Sequence, residues 1–529
     1  MVVSAHHLAS EIGVRILEAG GNAVDAAVAV GYALAVVDPC CGNIGGGGFM
    51  TIRLGDGRET FINFRETAPA AASAAMYLDS DGKPIDALSR YGYRAAGVPG
   101  TVMGLDRAAT EYGRLPRATL IAPAVALARD GFVLSPADVE ILNGKAERFG
   151  KDQGAAKIFL RPDGSPLAPG DRLAQSDLAA TLELIAERGP DAFYKGPIAA
   201  AIEKASNENG GTLTARDFAD YTITETAPLR CAYRAYVVVS APPPSSGGAT
   251  ICEILNILEG YDLAESGFHS ARSVRLMVEA MRQGYRDRNT YLGDPAFVMN
   301  PLERLLSKGY AASVRAEIER TPHSNSPPLG GEGRREKSQT THYSVVDDDG
   351  NAVAVTYTIN GSFGANVVAP GTGFFLNDEM DDFTVKPGAP NLYGLVQGEP
   401  NAIAPGKRPL SSMAPTLVEK DGRVALVLGS PGGSRIITAV LETIMNIVDY
   451  GMAPQDAVDA PRIHHQGQPE AVYFERSGLS PEVVQRLGEM GYQLIEQRPW
   501  GAVQLIKIDN ARLSGAADRR RPAGAALGY

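Results

Sequence analysis

The segment KSQTTHYSVVDDDGNAVAVTYTIN, Lys337 to Asn360, constrains the fold more than any other stretch. Apolar and β-branched residues fill Thr341 to Val346 and Ala352 to Thr358. The DDDGN between them offers a tight turn at Gly350 and Asn351, so a β-hairpin is predicted. In front of it lies Thr321 to Gln339, TPHSNSPPLGGEGRREKSQ, with three prolines, three glycines and almost nothing apolar. That composition cannot bury enough surface to hold a fixed conformation, and a mobile loop is expected. The strongest strand pattern therefore starts abruptly, with Thr340 and Thr341 at its boundary.

Elsewhere the pattern alternates between helical and extended. Leu8, Ile12 and Ile16 space a helix over His7 to Ala19, stopped by Gly20-Gly21, and Asn22 can cap a second helix to about Val37. Phe49 to Leu54 and Glu59 to Phe64 flank Gly55-Asp56-Gly57 as another hairpin. From about 95 to 320 the pattern is mostly helical, as in Leu178 to Arg188 and Ala249 to Glu259, with little strand signal. Val424 to Leu428 reads as a buried strand that runs through GSPGGS into a helix from about Ser434 to Val448. Helices interleaved with buried strands predict layered packing of helices on sheets, with no internal repeat. A chain of 529 residues can form one large unit or several domains.

A net charge of −11 argues against a nucleic-acid surface. The run Arg519-Arg520-Arg521 is expected as a solvated tail. Four cysteines (Cys40, Cys41, Cys231, Cys252) are too few for a disulfide scaffold and lack zinc spacing; buried thiols are expected. No stretch is long enough to span a membrane, because Ala23 to Val37 is short and interrupted by Asp25. MVVSAHHLASEIG does not read as a signal peptide.

Two glycine-rich runs invite a nucleotide-binding reading. GNIGGGGF, Gly42 to Phe49, precedes a strand instead of opening a helix. GSPGGS, Gly429 to Ser434, has the strand–glycine–helix order but no phosphate-loop lysine. Its Gly432 and Gly433 N–H groups can still point at a negative oxygen near a helix N-terminus. DDDGN is not a calcium loop, since the twelfth position from Asp347 is Thr358 and not glutamate. His464-His465 lack HExxH spacing, and no metal or other cofactor is predicted. No GxSxG elbow is present. A threonine hydroxyl has no strong base beside it unless it stands at a chain terminus, where the α-amino group, of pKa about 7.7–8.0, can serve. Thr340 meets that condition if the bond after Gln339 breaks. On these grounds alone, a threonine opening an interior strand is more often structural.

Further motifs change the weighting. TTHYSVVDDDGNAVAVTYTIN, FLNDEMDDF, RPLSSMAPT and GSPGGSRI occur in order, behind GGNAVDAAVAVGYALAVVDP and GNIGGGGFM and ahead of ADRRRPAGAALGY. Over essentially its whole length the chain resembles the γ-glutamyltranspeptidases, or glutathione hydrolases, of the N-terminal-nucleophile hydrolase superfamily. The resemblance implies an α+β fold, a four-layer αββα sandwich, made as a proenzyme that cleaves itself between Gln339 and Thr340. Residues 1–339 would form a large subunit and 340–529 a small one, associated as a heterodimer and one catalytic unit.

It also implies roles. Thr340 would be the nucleophile, Thr358 would orient it, and the Gly432 and Gly433 amides would stabilise the oxyanion. Arg65, Ser411 and Ser412 would bind the α-carboxylate of a γ-glutamyl group, and Asn360, Glu379 and Asp382 its α-ammonium. KPGAPNLYG, Lys386 to Gly394, resembles a lid loop with Tyr393 as its gate. Substrates would be glutathione and related γ-glutamyl compounds, with water or the amine of an amino acid or dipeptide as acceptor. The competing expectations are a glutaryl (cephalosporin) acylase of the same superfamily and an unprocessed, inactive homologue. Two departures from the family pattern stand out: the proline- and glycine-rich HSNSPPLGGEGRRE, and the absence of the usual export signal. The family implies a periplasmic or secreted enzyme; the missing signal leaves a truncated start or a cytoplasmic one.

Overall fold

The structure, a computed structural model, describes residues 1–321, 340–510 and 512–528. The expected loop therefore lies, apart from Thr321, outside the described residues. The hairpin behind it forms as the strands Thr340–Val346 and Ala352–Thr358, paired antiparallel with Thr358 opposite Thr340. Side chains alternate between faces of a strand. Tyr343, Val345, Val353, Val355 and Tyr357 pack on one side with the helix Ala23–Val37, while Val346, Ala352 and Ala354 pack on the other with Val239, Leu417, Val427 and Ile506. Burial on both faces is why this sequence reads as a near-continuous apolar run rather than an alternating one.

The hairpin lies within a seven-stranded antiparallel sheet ordered Ala525–Leu527, Val2–Ser4, Thr340–Val346, Ala352–Thr358, Gly47–Arg53, Glu59–Phe64, Thr224–Thr226. A six-stranded antiparallel sheet runs Arg512–Ala517, Gln504–Asp509, Arg423–Gly429, Thr416–Lys420, Tyr236–Ser240, Leu229–Tyr233. The sheets meet through the small aliphatic cluster of Val3, Val239, Val346, Leu417, Val427 and Ile506. The helices His7–Glu18 and Ala23–Val37 share a core with the first sheet; Gly247–Leu258, Ala271–Tyr291 and Ile436–Val448 share one with the second. The fold is thus α+β. Among the described residues, no helix is long and apolar enough to cross a membrane.

The helix Ala23–Val37 is buried throughout and begins with a capping box, in which Asn22 accepts from the Asp25 amide and Asp25 accepts from that of Asn22. Asp25 also accepts from the Arg114 and Leu115 amides, so its carboxylate is satisfied in the core. The run GNIGGGGF serves close approach. The strand begins at Gly47, and a Cβ on Gly46 would overlap the Thr358 carbonyl oxygen.

Three expectations need correction. The region 95–320 contains the strands Thr224–Thr226, Leu229–Tyr233 and Tyr236–Ser240. The tight turn joining the last two has no glycine or asparagine to signal it; Arg234 adopts φ 53°, with its amide donating to Glu259 at 2.8 Å. The cysteines are paired, not thiols: Cys231 bridges to Cys252, joining the strand Leu229–Tyr233 to the helix Gly247–Leu258 with 5.9 Å between Cα atoms, and Cys40 is bonded to Cys41. A sequence separation of 21 carries no sign of that approach. Nor do the terminal arginines form a solvated tail. Arg521 is buried with Nη1 2.9 Å from Asp38, and Arg520 pairs with Glu475 and Asp518; Arg519 alone is exposed. Their acidic partners come from distant parts of the chain.

Candidate active site

The nucleophile candidate follows from strand register. Because Thr340 and Thr358 are direct partners on neighbouring strands, their hydroxyls stand 3.1 Å apart. Thr358 Oγ also accepts from the Asn360 amide at 2.9 Å. Both threonines are buried, and both line a cleft of about 300 Å³ with Arg65, Arg288, Asn360, Asp382, Tyr393, Leu395, Ser411, Ser412, Gly433 and Ile436. The strand Arg423–Gly429 leads into Gly432 and Gly433, at φ 136° and 56°, before the helix Ile436–Val448. Such left-handed backbone belongs to glycine and turns successive amides toward one point. Gly433 lines the cleft, whereas Gly432 is not among its lining residues. A Cβ at Gly433 would overlap the Tyr393 ring, so that ring lies directly against the glycine.

Polar loops make the opposite wall. Arg65 follows the strand Glu59–Phe64 and is buried, with Nη2 donating to Asp382 at 2.5 Å, Nη1 2.7 Å from Glu379 and 3.6 Å from Glu66, and Nε donating to the Pro409 carbonyl at 3.2 Å. Burial opposes the Arg65 charge, but Glu379, Asp382 and Glu66 outweigh it and hold its pKa above the ordinary value. Burial in turn pushes Glu66 up to about 8, raises Glu379 well above the usual carboxylate range and raises Asp382 too, each against the pull of Arg65. One guanidinium among three acids leaves room for a shared proton. Glu379, expected at a substrate ammonium, pairs with Arg65 and is not among the residues lining the cleft.

Asn360 has φ 69°, donates to the Asp378 carbonyl at 2.9 Å and accepts from Tyr393 Oη at 2.8 Å. The segment around Tyr393 is tied down by Asp381, which accepts from the Leu392 amide at 2.7 Å. Ser411 Oγ accepts from the Met413 amide at 3.1 Å, and Ser412 Oγ accepts from Arg288 at 3.2 Å. Gln339 lies outside the described residues. The remaining sequence-predicted residues, Gly432 and Glu379 aside, line one cleft.

Sequence reasoning missed Arg288 and Glu66. Arg288 continues the stripe Val274, Met277, Met281, Tyr285 on the helix Ala271–Tyr291, so an arginine at a core position was the available signal. Glu66 gave none beyond its place beside Arg65.

Asp38, Cys40 and Cys41 form the one metal-type grouping among the described residues. The two sulfurs are bonded to each other and Asp38 is engaged by Arg521, so the cluster offers no thiolate ligand.

The sequence model of the family described as Gamma-glutamyltranspeptidase matches residues 9–528. The chain belongs to the γ-glutamyltranspeptidase family. It is 54% identical to a glutathione hydrolase proenzyme of Pseudomonas sp. (strain A14), over 100% of this chain and 94% of that protein. It is 48% identical to the glutathione hydrolase proenzyme of Escherichia coli (strain K12), over 100% and 92%. Among solved structures, a cephalosporin acylase from Bacillus halodurans superposes with a TM-score of 0.88 at 27% identity, covering 100% of this chain and 96% of that one. The γ-glutamyltranspeptidase of Helicobacter pylori gives a TM-score of 0.58 at 44% identity, over 59% of this chain and 90% of that one. This γ-glutamyltranspeptidase family member is therefore an enzyme whose fold it shares with acylases.

Proposed function

We propose that this enzyme is a γ-glutamyltransferase and glutathione hydrolase that matures by cutting itself between Gln339 and Thr340. The observation that carries the reading is the Thr340–Thr358 hydroxyl pair, 3.1 Å apart, in the same cleft as Arg65 and Asp382. In maturation Thr340 Oγ adds to the Gln339 carbonyl carbon, and the C–N bond breaks to leave an ester and a free Thr340 amine. Water then opens the ester, giving a carboxylate on Gln339 and a restored hydroxyl. The products are a large subunit, 1–339, and a small one, 340–529, which remain together as one unit. Shared strands support this: Val2–Ser4 and Thr340–Val346 are neighbours in one sheet, and the two sheets with helices outside them fit a four-layer αββα sandwich.

In turnover the new α-amine takes the Thr340 hydroxyl proton as oxygen attacks the γ-glutamyl amide carbon. The Gly432 and Gly433 amides receive the oxyanion. The amine returns the proton to the leaving group, and water or the amine of an amino acid or dipeptide then releases the γ-glutamyl ester. Arg65, Ser411 and Ser412 hold the α-carboxylate; Asp382 Oδ1 and Asn360 take the ammonium, with Glu379 fixing Arg65 from behind. Tyr393 covers Gly433 and gates access.

The test is intact mass and a denaturing gel, with two fragments divided before Thr340 in the wild type and one chain in Thr340→Ala. An undivided wild type with full activity overturns the reading. The acylase likeness favours a second substrate class, a glutaryl amide without the α-ammonium. Equal rates on glutaryl and γ-glutamyl p-nitroanilide would select it and remove the role given to Asp382.

A further inference from the structure

The two arginines of the cleft differ in what neutralises them. Arg65 is surrounded by Asp382, Glu379 and Glu66 at 2.5, 2.7 and 3.6 Å, so protein acids face its charge directly. Arg288 is equally buried but bonds only to neutral groups. Nε donates to Ser246 Oγ at 2.9 Å, Nη1 to Asn289 Oδ1 at 2.8 Å and Gln397 Oε1 at 2.9 Å, and Nη2 to Ser412 Oγ at 3.2 Å. No carboxylate of the described residues lies within 4.0 Å of it. Burial lowers its pKa only to about 10, with Asp382 acting on it from beyond contact distance, so it stays charged at neutral pH. A buried guanidinium with no carboxylate in contact is costly unless an anion arrives to face it.

Its partners lead to both parts of the recognition wall. Ser246 Oγ, which accepts from Arg288, donates to the Ser411 carbonyl at 2.6 Å. Gln397, which also accepts from Arg288, donates through Nε2 to the Asp382 carbonyl at 3.0 Å. One side chain on the helix Ala271–Tyr291 thus braces the serine pair and the Asp382 backbone together.

We propose that Arg288 is a specificity-determining and positioning residue, whose charge, bonded directly only to neutral groups, makes the cleft select an acyl group carrying a carboxylate on its terminal carbon. This rests on the γ-glutamyl reading and deepens it: Arg65 is held by the acids in contact with it, and Arg288, bonded to Ser412, adds the positive field that the substrate carboxylate completes.

The test compares the whole processed enzyme with Arg288→Lys, Arg288→Gln and Arg288→Met on two p-nitroanilides, γ-glutamyl and 4-aminobutyryl. These share the amide and the amine and differ only in the α-carboxylate. The readout is the ratio of kcat/KM between the two substrates. Loss of a charged hydrogen-bonding partner is expected to lower that ratio by roughly 10- to 100-fold in the Gln and Met variants, mainly through KM for the γ-glutamyl substrate. The Lys variant falls between them and wild type, because an ammonium keeps the charge but cannot span the serine and glutamine partners. A purely structural role lowers both substrates alike, and an unchanged ratio overturns the proposal. Should the neutral variants fail to give two fragments on a gel, the Lys variant decides on the same ratio. A wild type inactive on γ-glutamyl p-nitroanilide overturns the functional reading and this inference with it; an active wild type with unchanged variant ratios overturns this inference alone.

Discussion

At one end of the cleft, Thr340 and Thr358 face each other as register partners 18 residues apart, on a hairpin closed by its own turn. At the other, Arg65 meets Asp382 across 317 residues, and charge rather than register fixes the contact. The first geometry inherits the stiffness of a central sheet buried on both faces. The second exists only when the turn Glu379–Asp382 has been brought against the Arg65 guanidinium. Removing a side chain from the first end should therefore cost chemistry and little stability, whereas removal from the second should cost both.

The largest expected effect is Thr340→Ala, which should lower turnover by roughly 10⁴-fold or more while leaving the melting temperature nearly unchanged. Rates and thermal melts on the same preparation check both; a large loss of stability would break the contrast. Next is Arg65→Met, which strands buried acids without their cation and should cost about 3–5 kcal/mol of stability along with substrate affinity. Denaturant unfolding reads the first and KM the second, and a variant that loses affinity at full stability would show the charge cluster to be dispensable for the fold. Thr358→Val should lower kcat by roughly tenfold with KM little changed, since it removes one oriented hydroxyl next to the nucleophile.

The smallest effect concerns pH. Glu66 has a folded pKa of about 8 against an ordinary 4.5, with burial as the main cause. A raised pKa means that its contribution is fully present below about 4.5 and is lost as pH rises toward about 8. Glu66→Gln should flatten the decline of stability across that window in melts taken at several pH values. An identical decline in both proteins would assign it to other groups.

Local patterns made the first end legible and left most of the second obscure. The hairpin, its turn and the place of Thr340 follow from alternation and DDDGN, all within one short segment. The capping of Ala23–Val37 was equally readable, since Asn22 and Asp25 are neighbours. Arg65, Asp382, Ser411 and Ser412 were found because their motifs resemble a family, not because any spacing joined them. The Glu379–Arg65 pair was hidden for the same reason: a motif gives an acid but not the direction its side chain is drawn. The burial of Arg520 and Arg521, the Cys231–Cys252 bridge and the turn at Arg234 each depend on partners that no local window contains.

By itself the sequence determined the central hairpin, the glycine-lined approach to it and the place of Thr340 at the head of its strand. Those features rest on interactions between near neighbours, where residue type and spacing suffice. Tertiary structure alone decided which arginine meets carboxylates in contact and which bonds directly only to neutral groups. The charge balance of a buried group depends on every acid folded against it, and for Arg65 two of those acids, Glu379 and Asp382, come from a segment hundreds of residues away.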